Sequence, residues 1–143
     1  MFILQEKLID ASQAKNTLSN SLNGALVTFE GTVRNDKHED NEVASLLYIA
    51  DHPQCIEEGE RIVKEAIDMF PINGAFCIQR IGEVKVEQTA IWIGVCASHR
   101  DEAFKGCRYI IEETKKRLLI WKKEIYTNGT YRWVKGKDTP VIL

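Results

Sequence analysis

No stretch of the sequence approaches the roughly 18 consecutive apolar residues of a membrane span, and the Met1 to Leu4 run has no basic flank or cleavage site behind it. The expectation is a cytoplasmic protein with no membrane partner. The four cysteines, Cys55, Cys77, Cys96 and Cys107, form no CxxC pair. Three of them sit in apolar segments, so they read as reduced core residues rather than a redox or zinc site. His38, His52 and His99 lack metal-ligand spacing with any cysteine, so neither metal nor cofactor is expected. GxSxG, HExxH, Walker and GxGxxG signatures are all absent. With no repeat, low-complexity tract or linker, residues 1–143 read as one domain. Nor is there charge of one dominant sign: 19 basic against 21 acidic residues give a net charge of −2, so nothing global attracts nucleic acid.

What is present is patterning. A 143-residue chain that is 44% hydrophobic can bury a real core, about 68–70% of the surface its unfolded form would expose. Residues 2–8 suit a short strand and 11–18 a short helix. From Ala25 to Val33 apolar and polar residues alternate, which predicts a half-buried strand. Asn35 to Asn41 follows as a polar loop, and Val43 to Ala50 as a strand joined to the first hairpin-fashion. In Cys55 to Phe70, Ile56, Val63, Ala66, Ile67 and Phe70 recur at helical spacing, and Pro71 ends the helix. Ala75 to Ile81 is a further strand. Thr89 to Ala97 is so continuously apolar that it belongs in the middle of a sheet, covered on both faces. Ser98, with Asp101 three residues on, is the expected N-cap of a helix running to about Leu118. Ile120 to Tyr126 and Tyr131 to Lys135 flank Asn128-Gly129, the preferred pair of a type I′ hairpin turn. Elements mixed in this order predict an α+β domain, mainly antiparallel, with a C-terminal β-hairpin.

Candidate chemistry is cationic. Arg34 ends a strand on its polar face, where it can meet an anion or simply be solvated. His99 and Arg100 stand in the first turn of the long helix, where cations oppose the helix dipole. Either a phosphate fills the gap between them or both point to water. On that helix Ala103, Phe104, Cys107, Ile110, Ile111, Thr114 and Leu118 make an apolar stripe. Lys115 lies at its edge and Lys116 points away. Lys115 can therefore hold its ammonium at the rim of a pocket, where an amine among other cations serves as a base or nucleophile, or it can snorkel to water. Strand alternation puts Lys122 and Lys123 on opposite faces, so at most one joins Lys115. The basic density from Lys115 to Lys123, beside Trp121, Tyr131 and Trp133, suits a phosphate pocket or an RNA-gripping patch.

These residues also carry a resemblance. The run Gly24 to Arg34, then Arg80-Ile81-Gly82, Ser98-His99-Arg100, Lys115, and Ile120-Trp121-Lys122-Lys123-Glu124 are similar, in order and spacing, to the molybdopterin synthase large-subunit family. Tyr131-Arg132-Trp133 resembles that family's last strand, so the likeness spans about residues 24 to 135. Leu46 to Asp51 departs from the family's Leu-x-Tyr-Glu-Ala-Tyr, Gln79 stands for its usual histidine and Leu119 for its usual proline. The resemblance implies a hammerhead-like α+β fold and a homodimer at the centre of a heterotetramer. Each end would bind a small ubiquitin-like sulfur carrier ending in Gly-Gly thiocarboxylate. It implies sulfur transfer to cyclic pyranopterin monophosphate without a metal. Lys115 and Lys122 would be catalytic, and Arg34, His99 and Arg100 would hold phosphate and pterin, from either subunit. The rival readings are a polyanion-binding module on the 115–123 surface and an inactive paralogue.

Overall fold

The computed structural model describes residues 1–134. In chain order the elements are β1 (Phe2–Gln5), α1 (Ala11–Asn16), β2 (Ala25–Thr32), β3 (Lys37–His38), β4 (Asn41–Ala50) and α2 (His52–Met69). There follow β5 (Ile72–Arg80), β6 (Gly82–Lys85), β7 (Thr89–Ala97), α3 (Arg100–Arg117), β8 (Ile120–Tyr126) and β9 (Tyr131–Trp133). The α+β expectation holds, but there are two sheets. One runs β1-β5-β7-β2, with only the β1–β5 pair parallel. The other runs β3-β4-β8-β9, with β6 also pairing β4. Among the described residues no helix is long and apolar enough to cross a membrane.

β7 is central, between β5 and β2, and every residue from Ala90 to Ala97 is buried. Its period of two divides the core. Ile91, Ile93 and Val95 join Ala75, Cys77, Ile62 and Ile110 beneath α2 and α3. Trp92 and Cys96 face the other way, with Phe76, Ile78 and Leu18 beside α1. Trp92 meets Phe76 edge to face, ring centroids 6.1 Å apart. Gly94 is required by this packing, because a Cβ there would lie 2.4 Å from the Trp92 ring. Each fully buried aliphatic side chain contributes roughly 1.5–3 kcal/mol, so this strand anchors the fold. All four cysteines are buried and outside any disulfide, as expected. Burial pushes Cys107 up to about 11, which leaves it inert at neutral pH.

Several expectations are corrected. β2 and β4 do not form a hairpin: β2 pairs with β7 and β4 with β6 and β8, so the 33–40 segment crosses from one sheet to the other. The buried face of α2 is Cys55, Gly59, Ile62, Val63 and Ala66, while Ile56 and Ile67 are exposed. Gly59 turns the helix toward the sheet, since Phe2 packs where a Cβ would sit, 2.4 Å from its ring. On α3, Phe104 is 60% exposed instead of completing the stripe. The N-cap of α3 is His99, not Ser98, and it makes no side-chain cap bond. Ser98 Oγ instead reaches the Leu22 carbonyl at 3.5 Å. The β8–β9 turn is not type I′, for only Gly129 has positive φ (87°) and Asn128 does not. Gly129 N–H donates to the Tyr126 carbonyl and Tyr126 N–H to the Thr130 carbonyl, closing a three-residue loop with glycine in the left-handed position. Lys135, the expected end of β9, lies outside the described residues.

α2 and α3 are clamped by charge. Arg117 donates to Glu65 at 2.7 and 3.0 Å, to Glu113 at 3.3 Å and to Glu58 at 2.8 Å. Tyr109 Oη adds a bond to Glu65 at 2.5 Å. Arg117 and then Tyr109 hold the Glu65 carboxyl down at about 2, from an ordinary 4.5. A folded-state pKa below the unfolded one gives stability that is present above pH 4.5 and lost as pH falls toward 2. Thermal melts over that window should therefore fall more steeply for the wild type than for Glu65→Gln, which starts lower at neutral pH. Parallel curves would contradict the clamp.

Candidate functional site

The C-terminal end of α3 and the middle of β8 meet across the link Leu118-Leu119, and a cleft opens between them. Its narrow part, about 260 Å³, has walls of Ile91, Ile111, Ile120 and Trp121, with Lys115 and Lys122 beside them. A wider basin of about 670 Å³ adjoins it, sharing Tyr48, Ala90, Ile91, Lys115, Lys122 and Val134. Arg34, His38 and Arg132 also line the basin, against the carboxylates Asp36 and Glu124. The site is thus a slot with an apolar floor opening into a basin richer in cations than in anions. Such a shape suits a thin chain end in one part and an anionic group in the other.

Each cation is placed by its element. Lys115 is exposed on the last turn of α3, and among the described residues it makes no hydrogen bond or ion pair. Lys122 is half-buried, opposite Tyr48 in the β4–β8 register, its Nζ 6.0 Å from the Tyr48 ring centroid. Lys123 faces the other way, 4.2 Å from the Tyr131 ring centroid and 5.8 Å from that of Trp133. As strand alternation requires, only one of the two lysines shares the cleft lining with Lys115, and it is Lys122. Arg34 is well exposed at the basin mouth and pairs with Asp36 at 3.2 Å. His99 and Arg100 lie elsewhere, exposed at the opposite end of α3. The 16 steps along the chain from His99 to Lys115 span roughly 24 Å at ~1.5 Å per residue. Within one chain the structure brings together Lys115, Lys122 and Arg34 but not His99 or Arg100.

Sequence reasoning missed part of the lining. Tyr48 reaches both parts, and burial raises its phenol to about 12, so it remains a neutral donor. Gln79 lines the slot with both amide hydrogens spent on the Arg80 and Ala90 carbonyls. Glu124 is buried and bonded to Arg132 at 2.9 Å, Tyr126 at 3.1 Å and His38 at 3.3 Å. Burial alone would raise its carboxyl, but Arg132, Tyr126 and His38 outweigh that and hold it below the usual range. A signal for Glu124 did exist: it follows Lys122 by two in one strand and so shares its face. The basic 115–123 run forms no continuous surface, because Arg117 turns to glutamates and Lys116 pairs with Glu113 at 3.5 Å.

The family model described as MoaE protein matches residues 4–117. The chain belongs to the MoaE family. A Pyrococcus abyssi relative, a molybdopterin synthase catalytic subunit, is 42% identical over 125 residues, 87% of this chain and 83% of its own. One of the same description from Thermoplasma volcanium is 37% identical over 130 residues, 91% and 94% of the two chains. The crystal structure of molybdopterin synthase from Staphylococcus aureus superposes with TM-score 0.86 at 28% identity, covering 93% and 96%. The hammerhead-like expectation thus agrees with MoaE structures of the same architecture.

Proposed function

We propose that this chain is the catalytic subunit of a molybdopterin synthase, moving sulfur from a carrier protein's C-terminal thiocarboxylate onto cyclic pyranopterin monophosphate. Family membership over most of the chain supports the first half, so the chain acts as an enzyme component in molybdenum cofactor biosynthesis. The observation that carries the rest is the convergence of Lys115 and Lys122, from two different elements, on one apolar-floored slot with Arg34 at the adjoining mouth.

In this reading the slot takes the carrier's narrow Gly-Gly tail and the basin takes the pterin. Once the thiocarboxylate sulfur has bonded to the pterin, Lys115 and Lys122 flank the tail's carbonyl and stabilise the negative charge that builds on its oxygen as water adds to the acyl carbon. They exchange protons as the carbon–sulfur bond breaks, leaving a carboxylate on the carrier and the sulfur on the pterin. Arg34 meets the phosphate as its ring opens. His99 and Arg100 join from a second copy of the chain. That assignment is supported by their distance from Lys115 within one chain and by two exposed apolar residues, Phe29 lining the basin from the edge strand β2 and Phe104 near the His99 end of α3. No single positive face runs through 115–123, which weighs against a polyanion-gripping module.

Mass spectrometry tests the proposal directly. Purified protein mixed with a ubiquitin-like carrier bearing a Gly-Gly thiocarboxylate and with cyclic pyranopterin monophosphate should yield a pterin bearing two added sulfurs. No gain of sulfur, with the carrier unbound, would overturn it.

A further inference from the structure

We propose that Gln54 is a positioning residue for the Lys115 and Lys122 pair, its side-chain amide stapling the link between α3 and β8 to the first turn of α2. The proposal rests on the catalytic reading of the cleft given above. Only Leu118 and Leu119 separate α3 from β8. Lys115 precedes Leu118 by three residues and Lys122 follows Leu119 by three, so rotation within this link moves one ammonium relative to the other.

Gln54 grips both sides of Leu118. Its Nε2 donates to the Arg117 carbonyl at 2.9 Å, and its Oε1 accepts from the Leu119 N–H at 2.9 Å. The two contacts need opposite roles, which fixes the amide's orientation. Gln54 is itself held, because Asp51 Oδ1 accepts its backbone N–H at 3.2 Å as the cap of α2. The link has further ties to the same turn: Asp51 N–H donates to the Leu119 carbonyl at 3.0 Å, and Cys55 Sγ reaches that oxygen at 3.4 Å. Gln54 lines neither part of the cleft. Its removal therefore takes nothing from a substrate, but it frees the last carbonyl of α3 and the N–H of Leu119, loosening the geometry on which two-point catalysis depends. A misplacement of about 1 Å can cost on the order of 100-fold in rate.

Leu118 offers a separate way to stiffen the link. Its φ of −76° and ψ of 132° are those adopted before proline, and a proline at 119 would have no N–H to leave unpaired. Gln54→Ala is expected to lower kcat about tenfold or more with carrier affinity nearly unchanged, and to speed hydrogen exchange of the Leu119 amide. Gln54→Ala with Leu119→Pro should recover most of the lost kcat although the Gln54 bonds stay absent. Should Leu119→Pro fail to fold, Gln54→Glu serves instead: it keeps the acceptor for Leu119 and should fall between wild type and Gln54→Ala. Wild-type kcat in Gln54→Ala, or a loss recovered by neither second change, overturns the positioning role. Unchanged exchange at Leu119 overturns the staple itself. A wild-type protein that transfers no sulfur, with exchange responding as expected, would overturn the proposed function instead.

Discussion

Lys115→Ala should reduce sulfur transfer by at least about 100-fold, a loss in kcat rather than in carrier affinity. The side chain stands at the junction of slot and basin, so it can reach both a tail threaded into one and a ring held in the other. A cation fixed where charge develops acts on the transition state more than on the bound substrates, which is why kcat is the sensitive parameter. The same variant should keep the wild-type melting temperature within a few degrees, because Lys115 is exposed and has no polar partner among the described residues. Lys115→Arg should recover little, since a planar guanidinium cannot give up a proton as an amine does. Single-turnover assays with the thiocarboxylated carrier, alongside carrier titrations, separate these quantities. Near-normal turnover in Lys115→Ala would end the case for this residue.

Mixing two inactive variants should restore activity, if each site takes Lys115 from one chain and His99 from another. In a twofold dimer of one Lys115→Ala chain and one His99→Ala chain, one site carries both lesions and the other carries neither. Random exchange makes about half of the dimers mixed, each with one intact site of two, so activity should return to roughly a quarter of wild type. The geometry behind this is the length of α3, which keeps His99 and Lys115 roughly 24 Å apart in one chain, on opposite helix ends. Activity measured before and after subunit exchange, against either variant alone, gives the answer. No recovery despite demonstrated exchange would leave His99 and Arg100 outside the site or assign them to some other surface.

The corrections have a common physical origin. The stripe expected on α2 holds for Val63 and Ala66 but not for Ile56 and Ile67, which are more apolar than Gly59 and Cys55, because Phe2 and the sheet need the small residues underneath. The expected β2–β4 hairpin failed because adjacency in sequence is only a tendency. β2 gains more by pairing with the fully apolar β7, and that pairing sends the intervening segment to a second sheet. Ser98 has the composition of a cap, but its hydroxyl points to the Leu22 carbonyl instead. Gln54 carried no signal at all, since nothing local marks a glutamine whose partners are 63 and 65 residues away.

Wherever side-chain direction follows from backbone geometry, the chain's own pattern was sufficient. It determined β7 as a doubly covered central strand, the separation of Lys122 from Lys123, the position of Lys115 on the helix rim, and cysteines buried in the core outside any disulfide. Periods of two and 3.6 are local properties, so they survive in a one-dimensional string. Only the tertiary structure decided that the end of α3 and β8 open one cleft, that Tyr48, His38 and Glu124 belong to it, and that His99 and Arg100 do not lie there within a single chain. Those relations depend on which distant strands pair and how a two-residue link is tied down, contacts between segments that no periodicity within either one records.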